Sequence, residues 1–128
     1  MWGTNPRLEK SQDGELAKEE LDKIVIVFVT CGSEEEASRL AELLVSGHLA
    51  ACVNIAPVHS VFEWQGKLEK QAEWLLMLKS LKSRFPEIEA FIKNHHSYDL
   101  PEIIAIDILE SSVEYSGWIE KICKSPAR

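Results

Sequence analysis

Several things are scarce in this chain, and each scarcity excludes something. No apolar run is long enough to cross a bilayer, and residues 1 to 22 carry Arg7, Lys10 and Lys18 among Glu9, Asp13, Glu15, Glu19 and Glu20 with no apolar core of a secretory signal. The expectation is a soluble, cytoplasmic protein with no membrane partner. Cysteine is limited to Cys31, Cys52 and Cys123, an odd and widely spaced set with no C-x-x-C pair. That spacing excludes a disulfide framework and a structural zinc module. Basic charge is in deficit: 14 Lys and Arg against 21 Asp and Glu leave a formal charge of −7. An excess of negative charge repels phosphate backbones and anionic lipid, so no nucleic-acid partner is expected. Catalytic signatures are missing too. There is no G-x-S-x-G, P-loop, G-x-G-x-x-G or H-E-x-x-H. None of Arg7, Arg39, Arg84 and Arg128 sits in a phosphate-gripping glycine-rich loop, so the chain is expected not to be an enzyme.

What is present is enough for one domain. The 128 residues are 45% hydrophobic and 27% charged, which suits a single soluble core without staples. Residues 1–22 lack a sustained period and read as a flexible tail; residues 23–128 read as the folded domain. Ile24 to Val29 is an unbroken, β-branched apolar run, the pattern of a central strand buried on both faces. Ser33 with Glu36 three residues on is a capping-box start, and Ala37, Leu40, Ala41 and Leu44 follow with helical spacing, giving a helix over 33–46 with Gly47 as its C-cap. Two β-rich stretches flank Gln65-Gly66 and predict a long hairpin, 51–64 against 67–80.

A second helix is predicted around Pro86, with Ser83 as a possible cap and Phe85, Ile88, Phe91 and Ile92 as its apolar face; it should fail near Asn94 to Ser97. Glu102 to Leu109 reads as a fourth strand. Tyr115, Trp118, Ile119 and Ile122 give a short terminal helix. The order β-α-β-β-α-β plus helix is the ferredoxin-like α+β pattern. Its hairpin is longer than one small domain needs, which leaves an edge open for pairing with further copies.

The clearest chemical candidate is the pair His95-His96, two imidazoles suited to copper, zinc or nickel. Neighbouring residues point about 100° apart on a helix and to opposite faces on a strand, so both hold one metal only at an irregular helix end or with ligands from another chain. The alternative is one packed and one solvated histidine. Cys31 follows the buried strand and precedes the helix-start amides, an environment that favours thiolate and would suit Cu(I). Its plainer role is a small residue at a strand end. Cys52 reads as inert core. Glu63, Glu69 and Glu73 share the hairpin, where a solvated face is the simplest account and inward cation binding the alternative.

Three motifs carry a family likeness. At "LAACVNI" (Leu49 to Ile55), "FEWQGKLE" (Phe62 to Glu69) and "HHSYDLPEIIAI" (His95 to Ile106) the chain resembles the CutA family of divalent-cation tolerance proteins, a likeness running from about Ile24 to Ile119. The resemblance implies a ferredoxin-like fold, a tight homotrimer with long hairpins extending sheets between subunits, and a response to copper or other divalent metal ions. It places copper at a cysteine and the paired histidines, the latter being His95 and His96. A gapless comparison puts the family's cysteine at Val29, two residues before Cys31 on the same strand face. Ser97 replaces the proline common after the second histidine. The expected function is non-catalytic metal binding by a trimer at His95, His96 and Cys31. The runner-up is a trimeric signalling or scaffolding module that binds a small molecule or protein partner in an inter-subunit cleft near Trp64, Lys79 and Tyr98.

Overall fold

A computed structural model describes residues 23–127; the predicted tail 1–22 lies outside the described residues. Seven regular elements follow in order: β1 (Ile24–Cys31), α1 (Glu34–Ser46), β2 (Cys52–Trp64), β3 (Lys67–Leu81), α2 (Phe85–His95), β4 (Ile104–Asp107) and α3 (Val113–Cys123). The strands form one antiparallel sheet in the order β2-β3-β1-β4. β1 and β2 are thus parallel and split by β3, the arrangement of a ferredoxin-like sandwich.

Alternation along β1 sets the architecture. Val25, Val27, Val29 and Cys31 point one way and are buried under α1 and α2, where Leu40, Leu44, Leu76, Leu78, Ile88 and Ile92 complete the main core. Ile24, Ile26 and Phe28 point the other way and stay half-buried. The expectation of burial on both faces is therefore met on one face only within a single chain. α3 returns over the second face at one end, packing Ile119 and Cys123 against Ala51 and Leu81. Beyond it, Ile104 and Ile106 on β4 remain 56% and 49% exposed.

Local chemistry explains most element ends. Ser33 caps α1 by accepting from the Glu36 amide at 3.1 Å, and Ser112 caps α3 in the same way through Tyr115 at 3.1 Å. Gly47 closes α1 through its N–H to Leu43, although the left-handed residue there is His48, with φ 60°. Gln65 and Gly66 both take positive φ, 51° and 79°, the requirement of a two-residue turn that matches strand twist. The hairpin it closes pairs continuously from Cys52↔Lys79 to Trp64↔Lys67. Two boundaries differ from the pattern-based reading. Ser83 does not cap α2; it sits in a 3₁₀ turn, Lys82–Arg84, and the cap position is Arg84 with no side-chain bond. β4 is only four residues, because Ile104–Asp107 alone pairs with β1.

Depth in this core predicts mutational cost. Leu78→Ala removes a fully buried side chain and should cost about 2–5 kcal/mol. Leu68→Ala, at a 70% exposed site near the hairpin turn, should stay within about 0.5 kcal/mol. Urea unfolding of the two variants beside the parent checks the contrast.

Candidate metal centre

β4 covers β1 only as far as Phe28, so the end of β1 is covered by the irregular segment that follows α2. His96 is the first residue of that segment. It leaves the helix in an extended conformation, φ −86° and ψ 145°, which turns its ring inward, and its side chain is sealed from solvent. Its Nε2 donates to the Thr30 carbonyl at 2.7 Å. That bond fixes the tautomer, leaving the lone pair on Nδ1, which accepts from the Tyr98 amide at 3.0 Å and lies 3.7 Å from Glu36 Oε2. A carbonyl holding the far N–H of an imidazole is the usual outer support of a metal-binding histidine.

Glu36 is the residue that pattern reading missed. It does not close the capping box with its carboxylate. Instead it reaches across to Ser97, accepting from the amide at 2.8 Å and from the hydroxyl at 3.0 Å. Its position was legible: residues 36, 37, 40, 41 and 44 form the buried stripe of α1. Cys31, at the end of β1, completes the group. The Sγ, a Glu36 carboxylate oxygen and a His96 ring nitrogen lie within 4.8 Å of one another.

The thiol is not poised as thiolate, contrary to the expectation from its position. Its pKa is pushed up to about 12, first by burial and then by the Glu36 and Glu73 carboxylates, with Arg39 opposing weakly. The helix-start amides do not outweigh a dry, acid-lined site. Glu73 is buried rather than solvated, 5% exposed, and accepts the Tyr98 hydroxyl at 2.7 Å. Burial and that bond push the Tyr98 phenol up. Burial and Glu73 raise Glu102 as well. Gly32 leaves room for this clasp: a Cβ there would sit 3.0 Å from the Tyr98 hydroxyl.

The structure divides the two histidines. His95 is the last residue of α2 and is exposed; its ring stacks on Phe91 with centroids 4.0 Å apart, and its Nδ1 bonds the Phe91 carbonyl at 2.8 Å. It does not join Cys31, Glu36 and His96. Trp64, Lys79 and Tyr98 do not meet within one chain either. Trp64 pairs with Lys67 at the turn, and β3 runs about 40 Å from Lys67 to Lys79. Cys52, read as inert core, is half-buried with the Lys79 Nζ 3.9 Å from its sulfur.

Fold and site together define an antiparallel ferredoxin-like protein with a buried sulfur, carboxylate and imidazole at the end of its central strand. The model of the CutA1 divalent ion tolerance protein family matches residues 25–122, and the chain belongs to that family. It is 40% identical over 97 residues to the divalent-cation tolerance protein CutA of Thermus thermophilus, covering 75% of this chain and 94% of that one. It is 36% identical over 99 residues to mouse protein CutA, covering 77% of this chain but 56% of the mouse protein. The chain thus spans little more than half the length of its mammalian relatives. Among solved structures, the periplasmic divalent cation tolerance protein CutA of Archaeoglobus fulgidus superposes with a TM-score of 0.78 at 38% identity, covering 79% of this chain and 99% of that one. No described helix is long and apolar enough to cross a membrane.

The raised thiol makes a prediction with a definite sign. A group whose folded pKa exceeds its unfolded value stabilises the fold below the unfolded value, here 9.0, and that stability is lost as pH climbs towards about 12. The parent should therefore lose stability across this window more steeply than Cys31→Ala. Denaturant midpoints at stepped alkaline pH measure the difference; parallel curves would contradict the assignment. Tyr98→Phe should cost about 1–3 kcal/mol at neutral pH by stranding the Glu73 carboxylate, read from the same denaturant curves.

Proposed function

We propose that this chain is a non-catalytic, cytoplasmic metal-binding protein of the divalent-cation tolerance type, with Cys31, Glu36 and His96 holding copper or another divalent ion. The observation that carries this reading is the convergence of the three donor atoms within 4.8 Å. A thiol, a carboxylate and an imidazole are a donor set that zinc and copper accept. Ligands bound to one such ion at about 2.0–2.3 Å lie closer together than these donors do, so on loading the cluster would draw in slightly and the His96 Nδ1 lone pair would pass from the Tyr98 amide to the ion. Two features support that role: the Thr30 carbonyl that fixes the His96 tautomer, and the Ser97 bonds that aim Glu36. When bound, the ion supplies the positive charge that this acidic pocket lacks. Cys31 gives up its proton on binding, so uptake releases acid. His95 lies outside the cluster and is not needed by it.

The same reading includes assembly as a homotrimer. β2 is a thirteen-residue edge strand, and around the turn Val61, Trp64 and Leu68 are 63%, 43% and 70% exposed. A long edge with apolar residues invites pairing with other copies of the chain. Three copies would also bring Trp64 of one chain towards Lys79 or Tyr98 of another, the setting of the alternative cleft-binding reading.

Titration of the tag-free protein with Zn(II), Cu(II) and Cu(I) separates these readings. Saturable binding near one ion per chain is expected in the parent and in His95→Ala. It should weaken more than about tenfold in Cys31→Ser and His96→Ala. Loss in His95→Ala alone would move the ion to His95, whereas no binding at all, or equal binding by every variant, would move the function to the inter-subunit cleft. Light scattering at micromolar concentration should give three times the chain mass, and a monomer mass would sink the assembly claim.

A further inference from the structure

Glu73 differs from Glu36 in what its oxygens touch. Both residues are buried, 5% and 8% exposed. Glu36 has a donor on each oxygen, the Ser97 amide on Oε2 and the Ser97 hydroxyl on Oε1. Glu73 has only the Tyr98 hydroxyl, on Oε2, and its Oε1 meets no protein donor among the described residues. A carboxylate oxygen buried without a partner is costly. Cys31 is similar: its sulfur is fully buried and makes no hydrogen bond among the described residues. The two stand near each other along the sheet. Trp74, next to Glu73, lies directly across the ladder from Cys31. The Tyr98 hydroxyl that bonds Glu73 is 3.0 Å from where a Cβ would stand on Gly32, next to Cys31. The charge of Glu73 acts on the Cys31 thiol, as that of Glu36 does.

Three donors leave a fourth position in the tetrahedral geometry that zinc favours, to be filled by water or by a further side chain. Water has poor access here, because Cys31 and His96 are sealed and Glu36 nearly so. We propose that Glu73 is the fourth ligand of this centre and that Tyr98 guards it, holding the His96 Nδ1 with its amide and the Glu73 Oε2 with its hydroxyl until Glu73 turns to the ion. This rests on the metal reading above and adds what the centre selects. A thiolate and two carboxylates carry three negative charges, which a divalent ion offsets better than Cu(I) does, and carboxylate oxygens are poor partners for Cu(I). Tyr98 keeps its amide and hydroxyl protons throughout; its two hydrogen bonds are what loading gives up. All four donors lie within one chain, so added copies would only bury them more deeply.

The test titrates the tag-free full chain with Zn(II) and, separately, with Cu(I) under reductant. Glu73→Gln keeps an acceptor for Tyr98; it should weaken Zn(II) binding by at least about tenfold while moving Cu(I) by less than about threefold. Tyr98→Phe should tighten Zn(II) binding by about threefold or more, since the hydroxyl bond it lacks is one that loading breaks. A merely structural Glu73 would weaken both ions alike, and a merely structural Tyr98 would tighten neither. In the parent, isotope-edited NMR of the glutamate side-chain carboxyls should show two signals moved by zinc, those of Glu36 and Glu73. Movement of the Glu36 signal alone, equal zinc binding by the parent and Glu73→Gln, equal losses for both ions, or binding by Tyr98→Phe no tighter than the parent's would overturn the proposal and leave the three-donor reading standing. A parent that takes up no zinc would sink both. The carboxyl signals are read on the parent, so they decide the matter even where a variant fails to fold.

Discussion

The carbonyl of Thr30 must find a donor, and much of the candidate site follows from how it does. Buried backbone acceptors are almost always paired, and β4 stops pairing with β1 at Phe28. The chain after α2 meets this need with a side chain rather than a strand: the His96 ring donates to Thr30. Once that ring is fixed, Ser97 falls within reach of Glu36 and Tyr98 within reach of Glu73. Three helix-and-strand ends are therefore tied at one point. A longer β4 would extend along this edge and compete with the imidazole for it.

The pocket so formed is acidic and dry, a costly combination. Isolated buried charge is destabilising unless it is paired or hydrogen-bonded. Glu36 meets the demand through two bonds from Ser97, and Glu73 through a single bond from Tyr98. No basic side chain is bonded to either carboxylate among the described residues, and His96 approaches Glu36 at 3.7 Å without charge being required. The arrangement favours a guest that brings positive charge.

Much of the fold was legible because periodicity and punctuation agreed. The stripe of α1, the Gln65-Gly66 turn and the run from Ile24 to Val29 each carried two independent signals. Boundaries set by tertiary contacts were less legible. The apolar run from Glu102 to Leu109 looked like one strand, yet only its middle has a partner. The site was half legible. His96 and Cys31 were singled out from residue type, but the sense of the thiol's shift depends first on its burial and then on Glu36 and Glu73 arriving from α1 and β3, which no local window contains. The two histidines differ because one belongs to a helix and the next does not, a matter of a single residue's backbone. Glu36 carried two signals at once, cap and buried stripe, and the more familiar one was taken.

The β2–β3 hairpin has a consequence for how the molecule breathes. Its base is locked to β1 and covered by α1, while near the turn both strands are exposed and bonded only to each other. An isolated two-stranded ribbon is barely stable in water. In a solitary chain the amide hydrogens of Ser60 to Gln71 would then exchange with solvent long before those of β1, as a separate cooperative unit. Association would convert that fraying arm into part of a continuous sheet, so the slowest-exchanging core of the assembly would be larger than that of any one of its chains.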